Sequence, residues 1–280
     1  MLFMYGMRLG LRGLLHARVS RAVLKNLLIP VNYWRNLEFK IVLDALNPSA
    51  EDRILDIGSP KLLPLYIADR FQSEIYTTDI VDYFKNDYDF FRRISGIPES
   101  RFHTSVADGR SLPFPDNHFS KVFSISVIEH IPGDGDMECM TQIGRILENG
   151  GTAVITVPFA TNSRLEYKSA SEFYWASKSE DTTNKGRIFY QRRYSEEDLF
   201  TRLIRPSGLE LQRLQYLGER VWLSDEKEVS DYLPAFLGPL HPALSAIFHS
   251  KPADSWQELR KACGALIVLK KTVHSKAEMR

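Results

Sequence analysis

The stretch Arg53-Ile54-Leu55-Asp56-Ile57-Gly58-Ser59-Pro60 constrains the fold of this chain more than any other. A short apolar run holding one acid reads as a buried strand. Gly58 then allows a tight turn, and Ser59 can cap a helix whose first position is Pro60, where a missing N–H costs little. Two more apolar runs end in acids, Thr77-Thr78-Asp79 and Val106-Ala107-Asp108, and Phe119-Ser-Lys-Val-Phe-Ser-Ile-Ser-Val-Ile-Glu-His-Ile131 follows them. The pattern predicts strands over 53–58, 74–79, 102–106, 121–126 and 152–157, with helices over 60–71, 82–93 and 136–148. Strand and helix signals that alternate in this way imply an α/β fold with a mostly parallel sheet covered on both faces. Ligands in such sheets bind beyond the carboxyl ends of the strands, where these acids sit.

The flanks are less regular. Residues 1–37 carry Arg8, Arg12, Arg18, Arg21, Lys25 and Arg35 and no acid, with leucines and valines mostly at helical spacing. One helix ended by Pro30 is expected there, and a second around 32–46. A basic amphipathic helix can lie on an anionic membrane or pack on the core or a partner; both readings stand. Residues 158–190 read as an irregular insertion rich in Tyr and Phe. Ser195 is a good N-cap, strands are expected over 209–216 and 265–270, and 220–262 reads as a second irregular insertion. The expected organisation is one domain, with an N-terminal helical segment 1–48, a ligand-binding half 49–160 and the rest of the sheet with its insertions over 161–280.

A net charge of +1 argues against a generally basic nucleic-acid binder. Cys139 and Cys263 are too far apart in sequence to suggest a disulfide framework or a zinc site, so a reducing, cytoplasmic setting is expected, with membrane association through residues 1–29 as an addition. The uncharged run Leu233–Ser250 holds Pro234, Gly238, Pro239 and Pro242, which argues against a spanning helix.

Taken in order, the three acids and the Phe119–Ile131 segment resemble the cofactor-binding half of class I S-adenosylmethionine-dependent methyltransferases, of the methyltransferase type 11 kind, over residues 50–160 and more loosely over 186–219. The resemblance implies a Rossmann-like sheet of seven strands, the last antiparallel, with helices on both faces and an irregular acceptor-side insertion. It implies S-adenosylmethionine as cofactor. Asp56, beneath the turn, would hold the loop or the cofactor's amino group, and Gly58, Ser59 and Pro60 would face its carboxylate. Asp79 would take the ribose, Ile80 beside it would also line the cofactor site, Asp108 with Gly109 would take the adenine, and Ser124, Ile125 and Ser126 would lie beside the methionine part. Leu112-Pro113-Phe114-Pro115-Asp116 matches segments that close the adenine side. Pro60 stands where the family has a second glycine, which removes one backbone donor and also counts against a nicotinamide enzyme.

His130 is the candidate catalytic residue, as a base for an acceptor hydroxyl or as a histidine that orders its loop. Ser126 stands where a metal-binding subgroup has Glu, so no metal is expected. The acceptor site is assigned to Tyr167, Tyr174, Trp175, Arg192, Arg193, Tyr194 and Trp222: aromatics to pack an acceptor, arginines to pair a carboxylate or phosphate, or all of them as lid packing. Leu233–Phe248 would cover that pocket, form a dimer contact or meet a membrane. The expected activity is methyl transfer to a small-molecule acceptor, lipid- or sugar-linked among the options. The alternative is a non-catalytic protein of the same fold that binds a partner or membrane.

Overall fold

The computed structural model describes residues 1–16, 19–58, 62–82, 84–169, 182–184, 187–221, 223–224 and 227–272. Seven strands form the central sheet: β1 (Arg53–Ile57), β2 (Glu74–Asp79), β3 (Phe102–Val106), β4 (Phe119–Ile125), β5 (Leu147–Pro158), β9 (Glu210–Glu219) and β10 (Lys261–Lys270), in the order β3-β2-β1-β4-β5-β10-β9. The first five run parallel. β10 is antiparallel to both β5 and β9, as the resemblance implied for the last strand.

Period-two alternation explains the two-sided cover. Ile54, Phe123, Ile125 and Val154 join the core on one face, with Leu43 of α3 (Tyr33–Leu46), Leu63 of α4 (Leu62–Arg70) and Phe91 of α5 (Lys85–Ser95). Their neighbours Leu55, Val122 and Ile155 point into the other core, with Met140 and Ile143 of α6 (Gly135–Ile146).

The amino-terminal segment is two helices, α1 (Leu2–Leu15) and α2 (Arg21–Leu28), where one helix was expected. Ser20 is the reason, because its side chain caps α2 by accepting from the Val23 N–H at 3.3 Å. A glycine stripe then lets the hairpin close. A Cβ on Gly10 would lie 2.5 Å from the Leu27 backbone nitrogen.

The insertions are also more regular than their sequence suggests. β6 (Arg164–Ser169), β7 (Thr182–Asn184) and β8 (Arg187–Arg193) make a three-stranded antiparallel sheet in the order β6-β8-β7. Charged residues break the apolar alternation in both longer strands and hide the signal. Those same charges pair across the strands, with Glu166 accepting from Gln191 at 2.6 Å and from Arg193 at 2.7 Å. Ser195 caps α7 (Glu196–Asp198), as expected, by accepting from the Asp198 N–H. The helix continues in π form over Leu199–Ile204 and ends as α8 (Arg205–Ser207). The second insertion holds 3-10 turns and α9 (His241–Phe248), whose Ser245 is hydrogen-bonded by Asn36 of α3.

Candidate functional site

Register brings the predicted acids to one rim. Ile57 pairs with Thr78 and Asp79 pairs with Val106, so Gly58, Asp79 and Asp108 follow the ends of neighbouring strands. Ile125 pairs with Thr156, which puts Ser126 on the same rim.

Asp56 is fully buried beneath the turn and accepts a 3.1 Å hydrogen bond from the Thr77 hydroxyl. Gly58 has φ +62°, and a Cβ there would meet Val127 Cγ1 at 2.6 Å. Its N–H donates to the Thr78 carbonyl at 2.7 Å, which locks the turn onto β2. Ser59 and Pro60 lie outside the described residues. Asp79 accepts from the Val81 N–H at 3.2 Å, and the neighbouring Ile80 side chain is 55% exposed. Asp108 is held by Arg110, whose Nε reaches Oδ1 at 3.1 Å and whose Nη2 reaches Oδ2 at 2.7 Å. That guanidinium is the leading reason its carboxyl sits below the usual range. Next to it Gly109 packs so closely that a Cβ would lie 3.0 Å from Cys139 Sγ. Arg145 of α6 holds the Leu112–Asp116 segment through the carbonyls of Leu112 and Phe114 and the carboxylate of Asp116.

At the centre of the rim Ser124 is buried and donates to the Ile57 carbonyl at 3.1 Å, and Ile125 is buried beside it. Ser126 has φ +49° and donates to Glu38 Oε1 at 2.7 Å. Glu38 also accepts from Thr156 at 2.9 Å and pairs with Arg35. The sequence reading passed over Glu38. Its one signal was being the first acid after 37 residues without any.

Glu129 is buried, and its Oε2 has no hydrogen-bond partner among the described residues. Burial raises its carboxyl to about 8, so it is mostly neutral near pH 7. His130 Nε2 lies 3.8 Å from Glu129 Oε1, and its Nδ1 lies 2.6 Å from the Tyr190 carbonyl oxygen. A carbonyl only accepts, so Nδ1 carries the proton and Nε2 is the basic nitrogen of the neutral ring. Burial, the leading cause, lowers the imidazole's pKa.

The acceptor-site candidates fall into three groups. Tyr167 and Phe189 meet edge to face on paired positions of β6 and β8. Arg193 is paired with Glu166 and Glu228, while Arg192 is paired with Asp136 and bonded to the Gly133 carbonyl. Tyr194 is fully buried with its hydroxyl on Asp136 at 3.0 Å, and Arg202 forks onto the same carboxylate. Arg192 and Tyr194 thus tie the end of β8 to Asp136 of α6, and Arg193 ties β8 to Glu166 of β6 and to Glu228. Tyr174, Trp175 and Trp222 lie outside the described residues.

The residues present fit S-adenosylmethionine. The Gly58 turn has no room for a side chain, Asp79 offers acceptor-only oxygens suited to a ribose diol, and exposed Ile80 offers an apolar face to a flat ring.

Residues 55–155 match the family described as a methyltransferase domain. No curated protein matches the chain by sequence. Among solved structures, the [4+2]-cyclase SpnF is similar at 18% identity and TM-score 0.55, covering 86% of this chain and 82% of its own. The geranyl diphosphate C-methyltransferase of Streptomyces coelicolor A3(2), solved with Mg2+, geranyl diphosphate and S-adenosyl-L-homocysteine, is similar at 11% identity and TM-score 0.54, covering 85% of this chain and 79% of its own. A geranyl diphosphate methyltransferase in complex with SAM is similar at 12% identity and TM-score 0.54, covering 85% and 86%. At these identities the likeness establishes the fold.

Proposed function

We propose that the protein, whose residues 55–155 match the methyltransferase-domain family, transfers a methyl group from S-adenosylmethionine to a small-molecule acceptor, with lipid- or sugar-linked ones among the options, at the rim where Gly58, Asp79, Asp108 and Ser126 meet. The observation that carries this reading is the series of Gly58, Asp79 and Asp108 at the ends of three adjacent parallel strands within the matched segment.

S-adenosylmethionine, when bound, supplies a methyl group already activated on a sulfonium. The chain's own work is then to bind, orient and exclude water. The Gly58 turn and Asp79 would fix the methionine and ribose parts, while Asp56, bonded by Thr77, would support the turn from below. Asp108, already oriented by Arg110, would meet the adenine. His130 presents its basic Nε2 near the end of β4 and is the group that would accept a proton from an acceptor hydroxyl. Glu129 beside it keeps the pocket uncharged while protonated. Tyr167, with Arg192, Arg193 and Tyr194 bracing the small sheet, would form the acceptor wall. Contact with a membrane through residues 1–29 fits a lipid-linked acceptor.

A non-catalytic binding role is the second reading. Arg110 favours it, because it already forks onto the carboxylate that the adenine would use. Calorimetric titration with S-adenosylmethionine and S-adenosylhomocysteine separates the two. Micromolar binding of both supports methyl transfer, whereas a folded sample that binds neither leaves the binding role.

A further inference from the structure

The outward faces of α1 and α2 have an unusual composition. The exposed positions of α1 recur at helical spacing as Met1, Met4, Arg8, Leu11, Arg12, Leu15 and His16. Those of α2 are Arg21, Leu24, Lys25 and Leu28, and Val19 between the helices is exposed as well. Leu15 is 77% exposed and Leu28 55%. An ordinary surface helix turns its apolar side inward and mixes acids with bases outside. Here the inward side of α1 is largely glycine and leucine, with Gly10 and Gly13 against α2 and Tyr5 and Gly6 against α4, and the outward side is again apolar, lined with bases and free of acids.

A third element extends this surface. On α9 and the turn before it, the exposed residues are Pro239, Leu240, Ala243, Ala246 and Ile247, with no charge among them. A Cβ on Gly238 would lie 2.3 Å from Ile29 Cδ1, so this segment touches the end of α2 directly. α9 in turn is bonded to α3 through Asn36 and Ser245, and α3 carries Glu38 at the rim. At the start of α1, a recess of about 400 Å³ lined by Met1, Met4, Tyr5, Arg8, Tyr66 and Arg70 brings the Arg8 guanidinium to the edge of the apolar stripe, with Arg70 beside it paired to Asp69 at 4.0 Å.

We propose that α1, α2 and α9 form one docking face whose occupant is an anionic lipid bilayer. Exposed leucines, methionines and Ile247 enter the headgroup–acyl boundary, and Arg8, Arg12 and Arg21 meet lipid phosphates. No helix among the described residues is long and apolar enough to cross a membrane, so the contact is peripheral. Joined to the methyl-transfer reading, on which only this last step rests, the face selects a membrane-resident amphiphile as acceptor, delivered to the rim beside α3.

The test is flotation of the full chain with vesicles of phosphatidylcholine mixed with an equal part of phosphatidylglycerol, against vesicles of phosphatidylcholine alone. The expected result is binding that needs the anionic lipid and weakens with salt. L11S/L15S, L24S/L28S and I247S should each lower it by about tenfold or more, and R8E/R12E by at least about fivefold per arginine. These side chains are exposed, so every variant should keep the parent's thermal midpoint. No binding by the parent overturns the proposal, as does binding that all four variants retain. A dimer that L24S/L28S dissociates, without vesicle binding, would make the stripe a contact between copies instead. Titration with S-adenosylhomocysteine on the same preparation keeps the readings apart, because its failure removes methyl transfer and leaves the vesicle result standing.

Discussion

Ser126 ends β4 in the left-handed region, φ +49°, and its hydroxyl donates a 2.7 Å hydrogen bond to Glu38 of α3. A non-glycine residue holds such a backbone only when its surroundings enforce it. Glu38 does this with one carboxylate oxygen that also accepts from Thr156, so a helix outside the matched segment sets the shape of the rim. Glu38→Ala should cost about 3 kcal/mol of stability, since buried bonds to a charged acceptor are lost together and the Arg35 pair with them. Glu38→Gln keeps an accepting oxygen and should cost less than half as much. Denaturant unfolding measures both, and an alanine variant as stable as the parent would refute the role.

Asp79 is the acid whose replacement should separate binding from folding. It is the half-buried last residue of β2 at the rim, and it accepts from the Val81 N–H. Asp79→Ala should lower affinity for S-adenosylhomocysteine by about 30-fold, near 2 kcal/mol for two charge-assisted bonds to a ribose diol, and leave the thermal midpoint nearly unchanged. Asp79→Asn keeps an oxygen for Val81 and should fall between. Equal affinities in all three proteins would show that Asp79 does not touch the cofactor.

Glu129 predicts a pH dependence with a definite sign. Burial raises its carboxyl from 4.5 to about 8. The fold therefore holds a proton that the unfolded chain releases, and the associated stability is full below about pH 4.5 and is lost as pH rises through about 8. Glu129→Gln carries no such proton. Between pH 5 and pH 9 its stability should gain on the parent by on the order of 3 kcal/mol. Parallel pH profiles for the two proteins would mean that Glu129 is hydrated and ionised in solution.

His249 works in the opposite direction at the other end of the scale. Its ring lies 4.2 Å from that of Tyr33 and 4.5 Å from that of Trp34, and burial lowers its pKa from 6.5 to about 4. A depressed base contributes stability that is full above pH 6.5 and is lost as pH falls through about 4. The positive ring formed there should quench Trp34. Comparison with Trp34→Phe isolates that signal among the tryptophans, and the expected midpoint is near 4; a midpoint near 6.5 would place the ring in water.

The sheet was legible because β1, β2 and β4 hold apolar runs closed by a turn or an acid, a pattern that needs no tertiary information, while β5 extends five residues further back than the apolar run 152–157 suggested. β10 was legible as a strand over 265–270, and its antiparallel direction only through the resemblance. β6 and β8 were not, since Glu166, Gln191 and Arg193 satisfy one another across strands that have little apolar alternation. The break between α1 and α2 was written locally in Ser20, yet the unbroken leucine spacing masked it. Asp56, Asp79 and Asp108 were legible as a series because strand ends converge. Glu38 was not, because only tertiary packing carries a helix 88 residues before Ser126 to its hydroxyl. The same holds for Arg110, which reads as a plain surface residue until the Asp108 turn folds it back.

Gly58 gives the sharpest test of the turn, because two costs coincide there and can be pulled apart. The left-handed φ of +62° penalises any side chain, and a Cβ would also meet Val127 Cγ1 at 2.6 Å. The conformational cost of Ala for Gly in this region is about 1 kcal/mol. The steric cost adds to it, since neither the turn, tied to Thr78, nor β4 can retreat freely. Gly58→Ala should lose about 2–3 kcal/mol of stability and at least tenfold in S-adenosylhomocysteine affinity. Val127→Ala removes the clashing methyls. In the double variant the steric part should return, measured as a favourable coupling in a double-mutant cycle, while the backbone part and the weakened binding remain. Additive effects would place the cost in the backbone alone. Full recovery of affinity would mean that the cofactor needs the space Val127 leaves and not the conformation Gly58 adopts.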